Sequence, residues 1–166
     1  MGIMEKRADV VSIDTGLTND KLKRIASHLS AALADTMLLM IKSQVYHWNV
    51  VGPMFKPIHD LTEEHYTNLF EAADDIAERI RALGHPAPLS FTDLTARTSL
   101  SEETQVTSAR EMVEQLVADH ETIVRKLRVA GEYAELADDF VSHDLIVGRM
   151  DFHEKAIWML RATIAD

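Results

Sequence analysis

Five imidazole and carboxylate side chains are concentrated in the first half of the sequence. They are His47, His59, Glu63, Asp74 and Glu78. His59 and Glu63 are four residues apart, so on a helix they lie on one face and could hold one ion. The same spacing separates Asp74 from Glu78. Imidazole nitrogen with carboxylate oxygen suits Fe(II), zinc or manganese, so the pattern predicts a metal site; the alternative is a set of solvated helix faces.

The two pairs are too far apart to bind one ion within a single chain. Glu63 and Asp74 are 11 residues apart, which on a straight helix is roughly 16 Å, whereas metal–ligand bonds are about 2 Å. If two copies of this helix lie antiparallel across a two-fold axis, the His59 end of one faces the Glu78 end of the other. The spacing therefore predicts that metal binding requires a homo-oligomer with two equivalent sites in each dimer.

A di-iron site inside one bundle is disfavoured. Such a site needs Glu-x-x-His motifs on two helices, and no histidine of this chain has a glutamate three positions before it. The histidines outside the proposed ligand set lack comparable partners, and we expect each to be a surface or hydrogen-bonded residue. They are His28, His65, His85, His120 and His153, with His143 at most a weak surface ligand beside Asp139.

Helical periodicity accounts for nearly the whole chain. Apolar residues recur at helical spacing between a few glycine and proline clusters, which favours an all-α protein. We expect a short N-terminal extension over 1–18 and one bundle domain over 19–166. The first predicted helix starts after Thr18-Asn19, either of which can cap it, and ends near Asn49. The others run from Pro57 to Gly84, from about Ser101 to Gly131 and from about Asp138 to Ile164. The long connection over 85–100 has room for one short helix and is typical of the ferritin-like form of the four-helix bundle.

Composition narrows the function classes. The chain has 166 residues, which suits one domain, and it has no cysteine for disulfides or thiolate metal sites. Seventeen basic against 27 acidic residues give a net charge of -10, which favours cations over nucleic acid. No stretch approaches the roughly 18 to 20 consecutive apolar residues of a membrane span, and the N-terminus lacks an apolar export segment. We therefore expect a cytoplasmic protein with no membrane partner.

The metal-site residues also carry a family motif. It opens with His-Trp-Asn at the end of the first helix, followed by a second His, an acid, an Asp and a Glu at fixed intervals. In this chain those positions are His47-Trp48-Asn49, His59, Glu63, Asp74 and Glu78, and the similarity continues to the run 153–160. Over about residues 20 to 164 the chain resembles the Dps family, the mini-ferritins named as DNA-binding proteins from starved cells.

The resemblance implies a hollow shell of twelve subunits that oxidises Fe(II), preferentially with hydrogen peroxide, and stores ferric iron inside. His47, His59 and Glu63 would come from one subunit, and Asp74 and Glu78 from its mate across a two-fold axis. Glu63 departs from the Asp that is commonest at its position. Its oxygen donor is displaced by about one methylene, so iron affinity is the property that this change would alter.

Two further features follow from the resemblance. Trp48 would stack on a ligand histidine or intercept stray oxidising equivalents, unless it is an ordinary core residue. Asp138, Asp139 and Asp144 would line three-fold channels that admit Fe(II), unless they only cap the last helix and compensate its dipole.

DNA binding is expected to be weak or absent, because neither terminus carries the Lys/Arg-rich tail that binds DNA in similar proteins. The leading interpretation is a ferroxidase and iron-storage cage that protects DNA by removing iron and peroxide. The alternatives are a nucleoid protein that protects DNA by coating it, with iron incidental, and a structural helical oligomer.

Overall fold

The computed structural model describes residues 12–102, 105 and 107–165, and all of its regular elements there are helices. In chain order they are α1 (Asn19–Asn49), α2 (Phe55–Ala82), α3 (Phe91–Arg97), α4 (Ala109–Leu136) and α5 (Phe140–Thr163). The expected all-α bundle, with a short helix in the middle crossover, is confirmed. Most of the predicted N-terminal extension, residues 1–11, lies outside the described residues, and residues 12–18 contain no helix.

The four long helices form two antiparallel hairpins, α1 with α2 and α4 with α5. The hairpins meet where α1 packs on α4 and α2 packs on α5. The core lies between them and is formed by aliphatic side chains such as Leu39, Leu69, Leu116 and Leu160, which are all fully buried. Each such leucine contributes about 1.5–3 kcal/mol of transfer free energy on burial, so burial of this core is a large stabilising contribution in a chain that has no cysteine for disulfides.

Local signals set the ends of α1 and α2. Thr18 caps α1, since its Oγ1 accepts a hydrogen bond from the Lys21 amide. Gly84 follows the C-cap of α2 with φ +82°, and the His85 amide donates to the Ile80 carbonyl. The predicted start of α2 at Pro57 is two residues late, because Pro57 is the third residue of a helix that begins at Phe55. Its missing N–H costs nothing there, since the first turn has no acceptors for its amides.

The expected bounds of the helix after the crossover, Ser101 and Gly131, were wrong. This helix, α4, begins at Ala109 behind a capping box in which Ser108 and Glu111 satisfy each other's amides. It continues through Gly131 to Leu136. Gly131 lies in the helix against Ile146 of α5, so close packing of α5 explains this glycine better than a helix end does.

The crossover is fastened to α1 by Asp35, which is 1% exposed. Its carboxylate accepts hydrogen bonds from the Thr98 hydroxyl at 2.8 Å and from the Ser99 amide at 2.6 Å. These bonds fix the end of α3 over the middle of the first hairpin.

In the described part of the chain, only α1 is long and apolar enough to pass as a membrane span. Of its apolar window, 61% is buried inside the protein. This burial is what the core helix of a bundle requires.

Candidate metal centre

Three of the five predicted ligands come together at one end of the first hairpin. His47 lies in the last turn of α1, and His59 and Glu63 follow one another on α2. One potential ligand atom from each lies within 4.8 Å of the other two. This group was predicted as one subunit's share of the site.

The turn between α1 and α2 brings these residues together. Val50 ends α1, with its amide donating to the Tyr46 carbonyl, and its side chain is buried. Gly52 then adopts φ +98°, a region that L side chains rarely occupy. The Phe55 amide donates to the Gly52 carbonyl at 3.0 Å, and α2 begins there. The tight reversal sets the end of α1 beside the first turns of α2.

His47 and His59 hold each other in a reciprocal arrangement. His47 Nδ1 lies 2.8 Å from the His59 carbonyl oxygen, and His59 Nδ1 lies 2.9 Å from the His47 carbonyl oxygen. Because a carbonyl only accepts, both Nδ1 atoms carry a proton, and in the neutral imidazole this leaves the lone pair on Nε2. The rings are stacked, with centroids 3.7 Å apart at 17°. Ligand histidines are commonly fixed in this way by a backbone carbonyl, which leaves the other nitrogen for the metal.

The electrostatic environment suits a cation. His47 is buried at the base of the group, His59 is half-buried and the Glu63 carboxylate is exposed. Glu63 also lines an open polar depression on α2 with Asp60, Glu64 and Glu71. Two neutral nitrogen donors and one carboxylate form a ligand set for Fe(II), zinc or manganese with coordination positions left over.

Asp74 and Glu78 lie further along α2 and do not join this group within the chain. Asp74 is on the wall of a largely apolar groove formed with Met37, Phe70 and Pro88. Glu78 lines a separate open depression with Asp144. Their contribution to a metal site therefore still depends on a second copy of the chain.

The three acids at the α4–α5 corner have different surroundings. Asp139 is 3% exposed, caps α5 through the Ser142 amide and pairs with Arg79 at 2.7 Å. Asp138 is exposed and pairs with Lys21 at 3.2 Å. Asp144 is exposed. The alternative to a channel role, helix capping, therefore explains the position of the Asp139 carboxylate. Asp138 and Asp144 face solvent instead.

Trp48 is not a core residue, since it is 67% exposed. The ring that stacks on the outer side of His59 is Phe55, with centroids 4.9 Å apart at 28°. Tyr66 meets His47 edge-on at 5.3 Å. Phe55 was not predicted as a site residue from the sequence, although its position four residues before His59 was a visible signal.

A second histidine cluster lies inside the bundle. We expected His65, His120 and His153 to be surface or hydrogen-bonded residues without comparable partners. The hydrogen bonding of His120 and His153 is confirmed, whereas the lack of partners was wrong. They come from α2, α4 and α5 and are 3%, 0% and 0% exposed. His120 Nδ1 lies 2.8 Å from His153 Nδ1, and the His65 ring centroid is 5.3 Å from that of His120.

Burial lowers the pKa of all three imidazoles. The pKa of His65 falls to about 4 and that of His153 to about 3, while that of His120 falls well below its usual value. The Arg149 guanidinium, itself largely buried, adds to the effect on His120 and His153. The Arg149 charge disfavours a cation at this position, and among the described residues the group whose ligand atoms lie close enough to share one ion is His47, His59 and Glu63, not this cluster.

Known proteins resemble the chain along most of its length. Residues 26–166 match the family of ferritin-like domains. An uncharacterised low temperature-induced protein of Nostoc sp. is 40% identical over 156 residues, 92% of this chain and 86% of the other. The DNA protection during starvation protein 2 of Bacillus anthracis is 34% identical over 140 residues, 84% of this chain and 96% of the other.

A solved structure has the same architecture. The crystal structure of the Dps protein from Vibrio cholerae O1 matches with a TM-score of 0.87 at 27% identity, over 96% of this chain and 99% of the other. That protein is described as a member of a broad superfamily of ferritin-like diiron-carboxylate proteins.

Proposed function

This chain belongs to the Dps family of ferritin-like proteins, and from that premise we propose that it is a ferroxidase and iron-storage protein. It oxidises Fe(II), preferentially with hydrogen peroxide, and retains the ferric product inside a hollow homo-oligomer. The observation that carries the proposal is the His47–His59–Glu63 group, in which two imidazoles are held with Nε2 free beside a carboxylate.

Fe(II) is bound as a substrate between two subunits. His47, His59 and Glu63 of one chain supply two nitrogens and one oxygen, and Asp74 and Glu78 of the mate complete the site. Two Fe(II) ions each give one electron to one peroxide, whose O–O bond breaks, and two protons are taken up to yield two Fe(III) and two water molecules. Because both electrons pass to the same peroxide, no hydroxyl radical is released.

Assembly is supported by the aromatic surface of the isolated subunit. Trp48, Phe70, Phe91, Phe140 and Trp158 are each at least 66% exposed. Large aromatic side chains at many points of one small domain favour burial against further copies. We propose the dodecamer that the family resemblance implies, with the metal sites on its two-fold axes.

The corner between α4 and α5 is the proposed route for Fe(II) into the cage. Exposed Asp138 and Asp144 would focus a cation-attracting potential in a three-fold channel. Asp139 would support this corner from inside, since its carboxylate is bound to Arg79 and to the Ser142 amide.

Protection of DNA is proposed to be chemical, through removal of Fe(II) and peroxide together. The net charge of -10 per chain opposes tight binding to a phosphate backbone. We expect little retardation of DNA on gels near pH 7, and a retardation with a steep salt dependence would favour the nucleoid-coating alternative instead. The proposed location is the cytoplasm.

The deciding experiment is anaerobic loading with Fe(II), followed by hydrogen peroxide. Ferric absorbance and hydroxyl-radical yield are measured for the wild type and for the double variant His47→Ala/His59→Ala. His85→Ala, which removes a histidine of the crossover, is the matched control. We expect fast oxidation with little radical in the wild type and the control, and its loss in the double variant. Oxidation by the wild type no faster than in buffer would contradict the proposal.

A further inference from the structure

The first turns of α2 carry three side chains in one row. Phe55, His59 and Glu63 are spaced four residues apart, so they lie above one another on one face of the helix. His59 and Glu63 are metal ligands in the function proposed above. Phe55, the first residue of the helix, completes the row at its N-terminal end.

The His59 ring is enclosed on both faces. His47 stacks on one side with centroids 3.7 Å apart, and Phe55 stacks on the other at 4.9 Å. Side chains on a helix lean towards its N-terminus, so an unrestrained His59 ring would swing back, away from Glu63. The Phe55 ring occupies the space into which it would swing.

The stack and the hydrogen bond restrain different motions. The bond from His59 Nδ1 to the His47 carbonyl fixes which ring edge faces the backbone. It leaves the ring free to tilt about that bond, and the two flanking rings remove this freedom. Phe55 is 43% exposed, so it contributes little to the core of its own subunit. Its contact with His59 is therefore better explained by the site than by the stability of the bundle.

We propose that Phe55 is a positioning residue of the metal centre, whose ring holds the His59 imidazole in the orientation that binds the metal. This inference rests on the proposed metal site and adds a residue to it. Phe55 contributes no ligand atom, so its removal weakens metal binding without abolishing it. Stacked aromatic pairs change an equilibrium by about 2- to 12-fold, and we expect a loss of affinity in this range.

The test uses Co(II) as a spectroscopic probe in place of Fe(II). The intact oligomer of each variant is isolated by size exclusion, titrated anaerobically with Co(II) and followed by its visible absorption. Phe55→Leu removes the ring, Phe55→Tyr keeps it, and Phe91→Leu removes a more exposed phenylalanine from α3. Thermal unfolding of the same samples reports on structure.

We expect Phe55→Leu to weaken Co(II) binding about 2- to 12-fold with an unchanged melting temperature, while Phe55→Tyr and Phe91→Leu bind as the wild type does. In iron oxidation, Phe55→Leu raises the apparent KM for Fe(II) more than it lowers kcat. Wild-type affinity in Phe55→Leu would overturn the inference. So would a loss of affinity that parallels a fall in melting temperature or failure to assemble, because Phe55 would then act through structure. A wild type that binds no Co(II) would overturn the metal centre itself, which is a separate result.

Discussion

At the residue scale, His120 and His153 are an unusual pair because they are fully buried and bond to each other. A hydrogen bond between two Nδ1 atoms requires one ring to carry the proton there and the other to accept it. The accepting ring therefore carries its proton on Nε2, and burial, which lowers the pKa of both imidazoles, keeps the donating ring neutral as well. A charge that acts on both rings is that of Arg149, whose guanidinium donates to Asn68 and lies over the Phe152 ring. Burial and Arg149 together lower the pKa of both imidazoles.

This pair predicts a loss of stability in mild acid. In the unfolded chain both histidines have a pKa near 6.5, whereas in the folded protein they stay neutral, His153 down to a pKa of about 3. Below pH 6.5 the unfolded state therefore binds more protons, and the free energy of unfolding falls by up to about 1.4 kcal/mol per pH unit for each histidine. We expect His120→Asn/His153→Asn to flatten this dependence between pH 6.5 and 5.0, a window above the titration of ordinary carboxylates.

The measurement is guanidinium unfolding at fixed protein concentration across that window. The slope of the free energy of unfolding against pH is compared between the wild type and the double variant. The absolute free energies are not compared, because the double variant also loses packing. His85→Asn is the matched control and should keep the wild-type slope. An equally steep slope in the double variant would show that the pair is not the source of the acid sensitivity.

At the element scale, the junction of α4 and α5 depends on one carboxylate. Asp138, which follows the C-cap residue of α4, lies in the left-handed region with φ +64°, and the Asp139 amide donates to the Ala134 carbonyl. Asp139 then starts α5, accepting the Ser142 amide at 3.0 Å and Arg79 of α2 at 2.7 Å. The same side chain thus caps one helix and ties it to another.

We expect Asp139→Ala to destabilise the protein by about 2–4 kcal/mol, because it removes an N-cap and leaves the largely buried Arg79 without its carboxylate. Asp139→Asn keeps a cap acceptor but loses the charge, so its free energy of unfolding should lie between those of Asp139→Ala and the wild type. Chemical unfolding measures both. Asp144→Ala, at an exposed position of the same corner, should cost less than about 0.5 kcal/mol. A similar small cost for Asp139→Ala would contradict the assigned role.

At the scale of the whole molecule, the proposed site exists only in an assembly. One chain unites His47, His59 and Glu63, while Asp74 and Glu78 lie further along α2. An isologous two-fold dimer would contain two sites, each with histidines from one subunit and distal acids from the other.

Shared sites predict complementation between two inactive variants. Consider a mixed dimer of His47→Ala/His59→Ala with Asp74→Ala/Glu78→Ala. One of its two sites combines the altered histidine positions of the first chain with the altered acid positions of the second and lacks all four side chains. The other site combines the native histidines of the second chain with the native acids of the first and is complete. Random co-assembly gives half mixed dimers, so about a quarter of wild-type ferroxidase activity should return. Co-refolded variants are assayed beside each variant alone and beside the two oligomers mixed after assembly, which should stay inactive. A co-refolded sample no more active than its parents would exclude shared sites.

The sequence by itself determined the features that depend on short distances along the chain. Thr18 and Gly84 marked helix ends because caps use residues next to the terminus. Residues four apart share a helix face, so the His59–Glu63 pair was predictable from spacing. The same rule could have predicted the contact between Phe55 and His59, which are also four residues apart.

Only the tertiary structure decided which faces of different helices meet. His65, His120 and His153 come together from three helices, and no local spacing encodes that contact. Gly131 resembled a helix end but is a place where α5 packs closely, and Asp139 resembled a channel residue but is bound to Arg79. The physical reason is common to all three: hydrogen bonding and periodicity within a helix are local, whereas side-chain burial between helices is set by how the whole bundle packs.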